Sequence, residues 1–214
     1  DRLDYSKGIT QRIDAFETFL NRHPESQRNV TLLQITPKSR SEVPEYEAMQ
    51  RTVAEQAGRV NGALGTVDWV PIRYVNRSLR RPALAGLYRM AKLALVTPLR
   101  DGMNLVAKEY VAAQCEDDPG VLLLSRFAGA AQELKEAVLV NPYDVEGTAE
   151  AMARSLAMPV DERRERWRSM MKTLRENDVF AWCDTFLGEL SGSTARPAYR
   201  AALPQGGILR SKAV

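Results

Sequence analysis

The chain is poor in the side chains that most enzymes use for metal or nucleophilic chemistry. Its 214 residues hold one histidine, His23, and two cysteines, Cys115 and Cys183, set far apart. That leaves neither the ligand spacing of a zinc site nor a histidine-based triad. Long apolar runs are missing too. The longest, such as Leu93-Ala94-Leu95-Val96 and Val121-Leu122-Leu123-Leu124, are strand-length, well short of the roughly 20 residues that span a bilayer. No cationic segment followed by an apolar run opens the chain, so nothing reads as a secretory signal. The expectation is a cytoplasmic protein without a membrane partner.

A basic surface is scarce as well. The formal net charge is +3, but nothing after Glu189 is acidic while Arg196, Arg200, Arg210 and Lys212 all lie there. Without that tail the remainder is close to neutral. It shows no lysine-arginine stripe of the kind nucleic-acid binding needs, so no nucleic-acid partner is expected.

What is present is an apolar fraction of 44%, ordinary for a globular domain with a real core. Short β-branched runs alternate with longer helix-period segments, the pattern of βαβ units and a parallel sheet. The strands are expected at Val30–Thr36, Trp69–Val75, Leu93–Pro98, Val121–Ser125 and Val138–Val140. Ile9, Ile13, Phe16 and Leu20 share one helix face, and so do Met49, Val53, Val60 and Leu64. Further helices are expected over Pro82–Ala91, Leu105–Cys115, Ala128–Glu136, Val145–Met158, Asp161–Glu176 and Trp182–Leu190. Trp167, Trp182 and Phe186 sit at helical spacing and read as core packing. The first helix has no strand before it, so the opening strand of the sheet is expected to be missing. One domain is expected over 1–190, then a disordered basic tail over 191–214.

In an open parallel sheet, ligands collect where strands end and loops lead into helix N-termini with free amides. The first such place is Arg2-Leu3-Asp4-Tyr5-Ser6-Lys7-Gly8, where two cations and a glycine precede a helix. They suit a diphosphate, though a solvated charged loop is the alternative. The second runs from Thr97 to Glu109. Gly102 there allows close approach of backbone to ligand, Asn104 suits a helix cap, and Asp101 and Glu109 suit sugar and ribose hydroxyls. A turn residue and an exposed helix position are the alternatives. Ser125–Ala131 and Thr36–Arg40 are further junctions, the former read mainly as packing, the latter offering cations to an anionic acceptor.

At these residues a family resemblance becomes visible. Arg2-Leu3-Asp4-Tyr5-Ser6-Lys7-Gly8, the string LVTPLRDGMNLVAKEYVAAQ from Leu95 to Gln114, Ser125-Arg126-Phe127-Ala128-Gly129-Ala130-Ala131 and Val140-Asn141-Pro142-Tyr143-Asp144 resemble the trehalose-6-phosphate synthase family, glycosyltransferase family 20. The resemblance covers Asp1 to about Leu190. It implies a GT-B enzyme with two Rossmann-like domains, of which this is the C-terminal, α/β half, the N-terminal domain being the missing partner. It implies transfer of glucose from a nucleotide diphosphate glucose (UDP- or GDP-glucose) to glucose 6-phosphate with retention, and no metal.

Carried over by position, Arg2 and Lys7 resemble the pair that neutralises the diphosphate. Asp101 resembles the contact to donor glucose, with backbone contacts from Gly102, Met103, Asn104, Leu105 and Val106. Glu109 matches the ribose carboxylate, Leu79 the contact to the nucleobase, and Arg40 an arginine on the acceptor phosphate. Arg2, Lys7 and Asp101 would then carry catalysis, chiefly by stabilising charge on the departing diphosphate. The alternatives are a non-catalytic nucleotide- or phosphosugar-binding module and a pseudo-glycosyltransferase half that couples cyclitols. An apolar face of the last helices left uncovered would favour a homo-oligomer.

Overall fold

The computed structural model describes residues 1–37 and 44–191. Arg40 and residues 192–214 of the expected tail lie outside them; Ser191 is the last residue of a helix. The chain divides into two compact units, Asp1–Met171 and the residues from Lys172 onward.

The first unit alternates strands and helices in the expected order. After a short 3-10 helix at Tyr5–Lys7 come α1 (Ile9–Arg22), β1 (Leu32–Ile35), α2 (Pro44–Leu64), β2 (Ile72–Val75), α3 (Arg81–Met90) and β3 (Leu93–Val96). α4 (Leu105–Ala113), β4 (Val121–Ser125), β5 (Val138–Val140), α5 (Val145–Leu156) and α6 (Val160–Glu176) complete it, with α6 running past the unit boundary. Every strand pair is parallel, as βαβ crossovers require. The strands form two ladders, β1–β2 and β3–β4–β5, where a single sheet was expected. A side chain of α1, Arg12, bonds to Gln34 of β1 and to Thr97, the residue that follows β3.

The core explains why these segments take these forms. β4 is buried at every position, the mark of a strand covered on both faces. On α1, Ile9, Ile13, Phe16 and Leu20 lie inward as their spacing foretold, each buried aliphatic side chain contributing about 1.5–3 kcal/mol. They meet Val53, Ala57 and Val60 of α2, Leu123 of β4 and Met152 of α5 in one cluster. Trp167 of α6 is buried as expected and donates its indole N–H to the Val111 carbonyl at 3.0 Å.

The segment Ala128–Glu136, expected as an α-helix, contains only the 3-10 helix Gly129–Gln132. The segment closes in i→i+3 steps, Ala131 donating to the Ala128 carbonyl at 2.9 Å and Glu133 to the Ala130 carbonyl at 3.2 Å, while its first amides dock on the neighbouring loop: Gly129 donates to the Asp101 carbonyl at 2.9 Å and Ala130 to the Met103 carbonyl at 2.7 Å.

In the second unit, α7 (Val179–Ser191) is capped by Asp178, whose carboxylate accepts from the Ala181 amide at 2.9 Å. Trp182 and Phe186, expected in a core, are exposed instead. Being one turn apart they stack on each other, with ring centroids 5.2 Å apart. Leu187 and Leu190 of the same helix are exposed with them. Among the described residues no helix is long and apolar enough to cross a membrane.

Candidate functional site

The site is built where β3 ends, from two loops stitched together through backbone. In the first, Asp4 caps the 3-10 helix: its carboxylate accepts from the Ser6 amide at 2.9 Å and the Ser6 hydroxyl at 2.7 Å. The turn closes on Gly8 in the left-handed conformation, φ 61°, which a glycine adopts without strain. A Cβ at Gly8 would fall closer than 3.0 Å to the Thr97 carbonyl oxygen, so only a glycine lets this loop lie against the end of β3. The Ser6 carbonyl accepts from the Leu99 amide at 2.7 Å and the Leu3 amide donates to the Pro37 carbonyl at 3.1 Å, tying the loop to the segments after β3 and β1.

The second loop, 97–104, presents Asp101. Its amide donates to the Phe127 carbonyl at 3.2 Å and its carbonyl accepts from Gly129, so the loop after β4 supports it from behind. Asp101 Oδ2 lies 2.6 Å from Lys7 Nζ and 3.0 Å from Asn104 Nδ2, and Oδ1 accepts from the Met103 amide at 3.4 Å. Burial pushes the Asp101 carboxyl up, but Lys7 and the two amides more than reverse this and hold it below the usual carboxylate range. Asn104 itself is buried with φ 77°, and its side chain accepts from the Ala107 amide at 3.0 Å, capping α4 as its position before the helix suggested.

The structure therefore brings together Lys7, Asp101, Met103 and Asn104. Gly102 is exposed, and a Cβ there would meet nothing within 4 Å; the fold does not itself require a glycine at this point. Met103 and Leu105 are exposed and Val106 is half-buried at the start of α4. Arg2 projects outward, its side chain 60% exposed, and its ion pair is a long one to Asp4 at 3.8 Å. Glu109 is exposed on α4 and accepts a hydrogen bond from the Tyr88 hydroxyl of α3 at 3.5 Å. Burial first, then the Glu109 charge and this hydrogen bond, push the Tyr88 phenol up to about 12. Leu79 is half-buried between β2 and α3. Among the described residues no hydrogen bond or ion pair joins Arg2, Leu79 or Glu109 to the Lys7–Asp101 pair. The arrangement offers one cation and one carboxylate side by side at the loop after β3, suited to an anion joined to a hydroxyl-rich group.

Sequence reasoning placed Asp4, Ser6 and Thr97 in candidate loops without a role of their own, and did not single out Tyr88 or Arg12. For Arg12 a signal existed. It falls on the same helix stripe as Ile9, Ile13 and Phe16, and a charge on an apolar stripe is a flag. The others lie in loops or carry no periodic mark.

A model of glycosyltransferase family 20 matches residues 1–192. The chain belongs to that family. It is 72% identical over 196 residues to a trehalose-6-phosphate synthase of Sinorhizobium fredii, covering 92% of this chain and 42% of that protein. A bifunctional trehalose-6-phosphate synthase/phosphatase of Thermoproteus tenax is 48% identical over 204 residues, covering 95% of this chain and 28% of its own length. Among solved structures, a UDP-forming α,α-trehalose-phosphate synthase of Burkholderia xenovorans in complex with glucose-6-phosphate superposes with a TM-score of 0.88 at 51% identity. It covers 90% of this chain and 43% of its own. An E. coli relative bound with UDP-2-fluoro glucose gives 0.87 at 45%, covering 89% and 42%. The family 20 chain described here thus spans less than half the length of these relatives.

Proposed function

We propose that this chain is the donor-binding part of an α,α-trehalose-phosphate synthase, which moves glucose from UDP-glucose or GDP-glucose to glucose 6-phosphate with retention, in trehalose biosynthesis. The observation that carries the reading is the pairing of Lys7 with Asp101 across two loops at the strand ends, in a chain whose relatives are trehalose-6-phosphate synthases. The bound glucose-6-phosphate and UDP-2-fluoro glucose of the solved relatives point to the same substrates.

In this reading the departing diphosphate is the group that gains charge, and stabilising it is the main catalytic task. Lys7 and Arg2 supply the cations. A donor phosphate oxygen reaching Lys7 takes over part of what Asp101 now neutralises, and the Asp101 carboxylate turns to accept a hydroxyl of the glucose. Backbone from Gly102 to Val106 borders the sugar and phosphates, Glu109 receives the ribose hydroxyls and Leu79 lies at the nucleobase. The phosphate of the acceptor is assigned to Arg40 by the family resemblance alone. The nucleophile is the acceptor's own hydroxyl, and its proton passes to the leaving phosphate. The acceptor side is completed by an N-terminal domain, so this chain by itself binds donor weakly and turns over poorly. The reaction is placed in the cytoplasm, and the uncovered apolar face of α7 is the surface for self-association.

Calorimetric titration of UDP, GDP and ADP tests the donor site, with Lys7→Ala and Glu109→Ala as controls. One diphosphate is expected to bind, with Lys7→Ala weakening it by roughly tenfold and Glu109→Ala by less. No binding of any of the three, or binding indifferent to both substitutions, would remove the donor site from these loops.

A further inference from the structure

Arg12 is a guanidinium buried to 4% exposure on the inward stripe of α1. Its Nε donates to Thr97 Oγ1 at 3.0 Å and Nη1 to Gln34 Oε1 at 3.1 Å. Nη2 donates to the Lys7 carbonyl at 3.2 Å and to Asp1 Oδ2 at 3.2 Å. One planar fork thus joins β1, the residue that follows β3, and the loop that carries Lys7. The network extends one step further, because the Gln34 amide donates to Thr36 Oγ1 at 3.0 Å, also buried. Burial pulls the guanidinium pKa down to about 10, so at neutral pH the group stays charged.

Packing alone gives no reason for a charge here. The stripe that Arg12 shares with Ile9, Ile13 and Phe16 is otherwise apolar, and a buried ion is a costly way to fill space. What the guanidinium does is join four acceptors that nothing apolar could engage, the Thr97, Gln34 and Asp1 side chains and the Lys7 carbonyl. Lys7 sits in a loop whose regular structure is one short 3-10 helix, and its ammonium has a long flexible stem. Arg12 fixes the carbonyl of that same residue relative to both strand ends. Asp101 lies four residues beyond Thr97, on the loop that Arg12 anchors from the other side.

We propose that Arg12 is a positioning residue for donor binding, setting the Lys7 loop against the ends of β1 and β3 so that the ammonium is presented beside Asp101. It touches neither donor nor acceptor and acts through Lys7. This rests on the reading of Lys7 as the cation that receives the diphosphate. A lysine at position 12 keeps the charge and loses the fork, so it cannot hold the three pieces at once.

The test combines Arg12→Lys with Lys7→Ala in a double-mutant cycle, read by UDP titration, by NMR titration of the Asp101 carboxyl and by thermal unfolding. Arg12→Lys is expected to weaken UDP binding roughly tenfold when Lys7 is present and less than about twofold when it is absent. The Asp101 carboxyl is expected to titrate at higher pH in Arg12→Lys than in the unsubstituted chain. Equal losses in both backgrounds, or a lower melting temperature with Asp101 titrating unchanged, would mean a structural clamp only and overturn the proposal. Should UDP bind none of the chains, the donor reading fails, and the Asp101 titration alone still decides whether Arg12 sets Lys7. If Arg12→Lys does not fold, Thr97→Val, which removes a single acceptor hydroxyl, is put through the same comparisons.

Discussion

Lys7 Nζ and Asp101 Oδ2 stand 2.6 Å apart across 94 residues of sequence, with the two side chains only 15% and 16% exposed. A carboxylate held below its ordinary value of 3.8 stabilises the fold above that pH and loses the contribution as pH falls through the lowered value. In Lys7→Met the burial that pushes Asp101 up is opposed only by the Met103 and Asn104 amides, so the carboxyl titrates at higher pH. The stability gap between the unsubstituted chain and this variant, measured by urea unfolding, is therefore expected to be widest near neutral pH. It should close as the pH is lowered below about 4. A gap that stays constant down to about pH 3 would mean that the pair adds nothing to the fold.

Gly8 gives a test of the loop itself. Its φ of 61° is unfavourable for any side chain, and a Cβ would press into the Thr97 carbonyl. Gly8→Ala should cost about 2 kcal/mol or more, the left-handed penalty plus the displacement of the loop from β3. Denaturant unfolding reads the first, and loss of the Lys7–Asp101 pairing in NMR reads the second. A stable Gly8→Ala chain with the pairing intact would contradict the geometry.

The tryptophans separate core from surface. Trp167 is buried and spends its indole N–H on the Val111 carbonyl, which also accepts from the Gln114 amide at 3.3 Å, so Trp167→Phe removes one of that carbonyl's two donors together with ring volume. A loss of about 1–3 kcal/mol is expected. Trp182 is 59% exposed and stacks on Phe186 within α7. Trp182→Ala should change stability by no more than about 0.5 kcal/mol, the worth of an exposed pair one turn apart. Urea unfolding of both variants checks the contrast, and equal losses would place Trp182 in a core after all.

These variants also mark where the sequence could be read. Strands such as Val121–Ser125 were legible because burial on both faces leaves a continuous apolar run, and α1 because Ile9, Ile13, Phe16 and Leu20 repeat at helical spacing. The cap at Asn104 was legible from its place before α4. Ala128–Glu136 misled because its small residues suit a helix, while the folded segment winds in a tighter 3-10 turn whose first amides, Gly129 and Ala130, dock on carbonyls of the 101–103 loop, contacts with no local trace. The division into two ladders escaped for a similar reason: strand spacing says nothing of which edges pair. Lys7 and Asp101 were both named from their loops, but their contact depends on Gly8 seating one loop on the other. Trp182 and Phe186 show the limit of periodicity, which marks an apolar face without saying what covers it.

Gly102 gives the last test, because there the fold and the proposed function make different demands. Gly129 must be glycine on packing grounds, since a Cβ would strike the Gly102 carbonyl oxygen. Gly102 has no such constraint: it is exposed, has no positive φ, and a Cβ would enter open space. Gly102→Ala should therefore leave the unfolding free energy within about 0.5 kcal/mol of the unsubstituted chain. If the open space over Gly102 is where donor phosphate or sugar approaches the backbone, the added methyl occupies it, and the affinity for the diphosphate that binds should fall by roughly tenfold or more. Gly129→Ala should show the reverse pattern, a clear loss of stability, with binding lost only as the loop gives way. Measuring unfolding and titration on the same two samples keeps the effects apart. Should Gly102→Ala bind as tightly as the unsubstituted chain, the donor does not run over this loop, and the backbone from Gly102 to Val106 loses its assigned part in recognition.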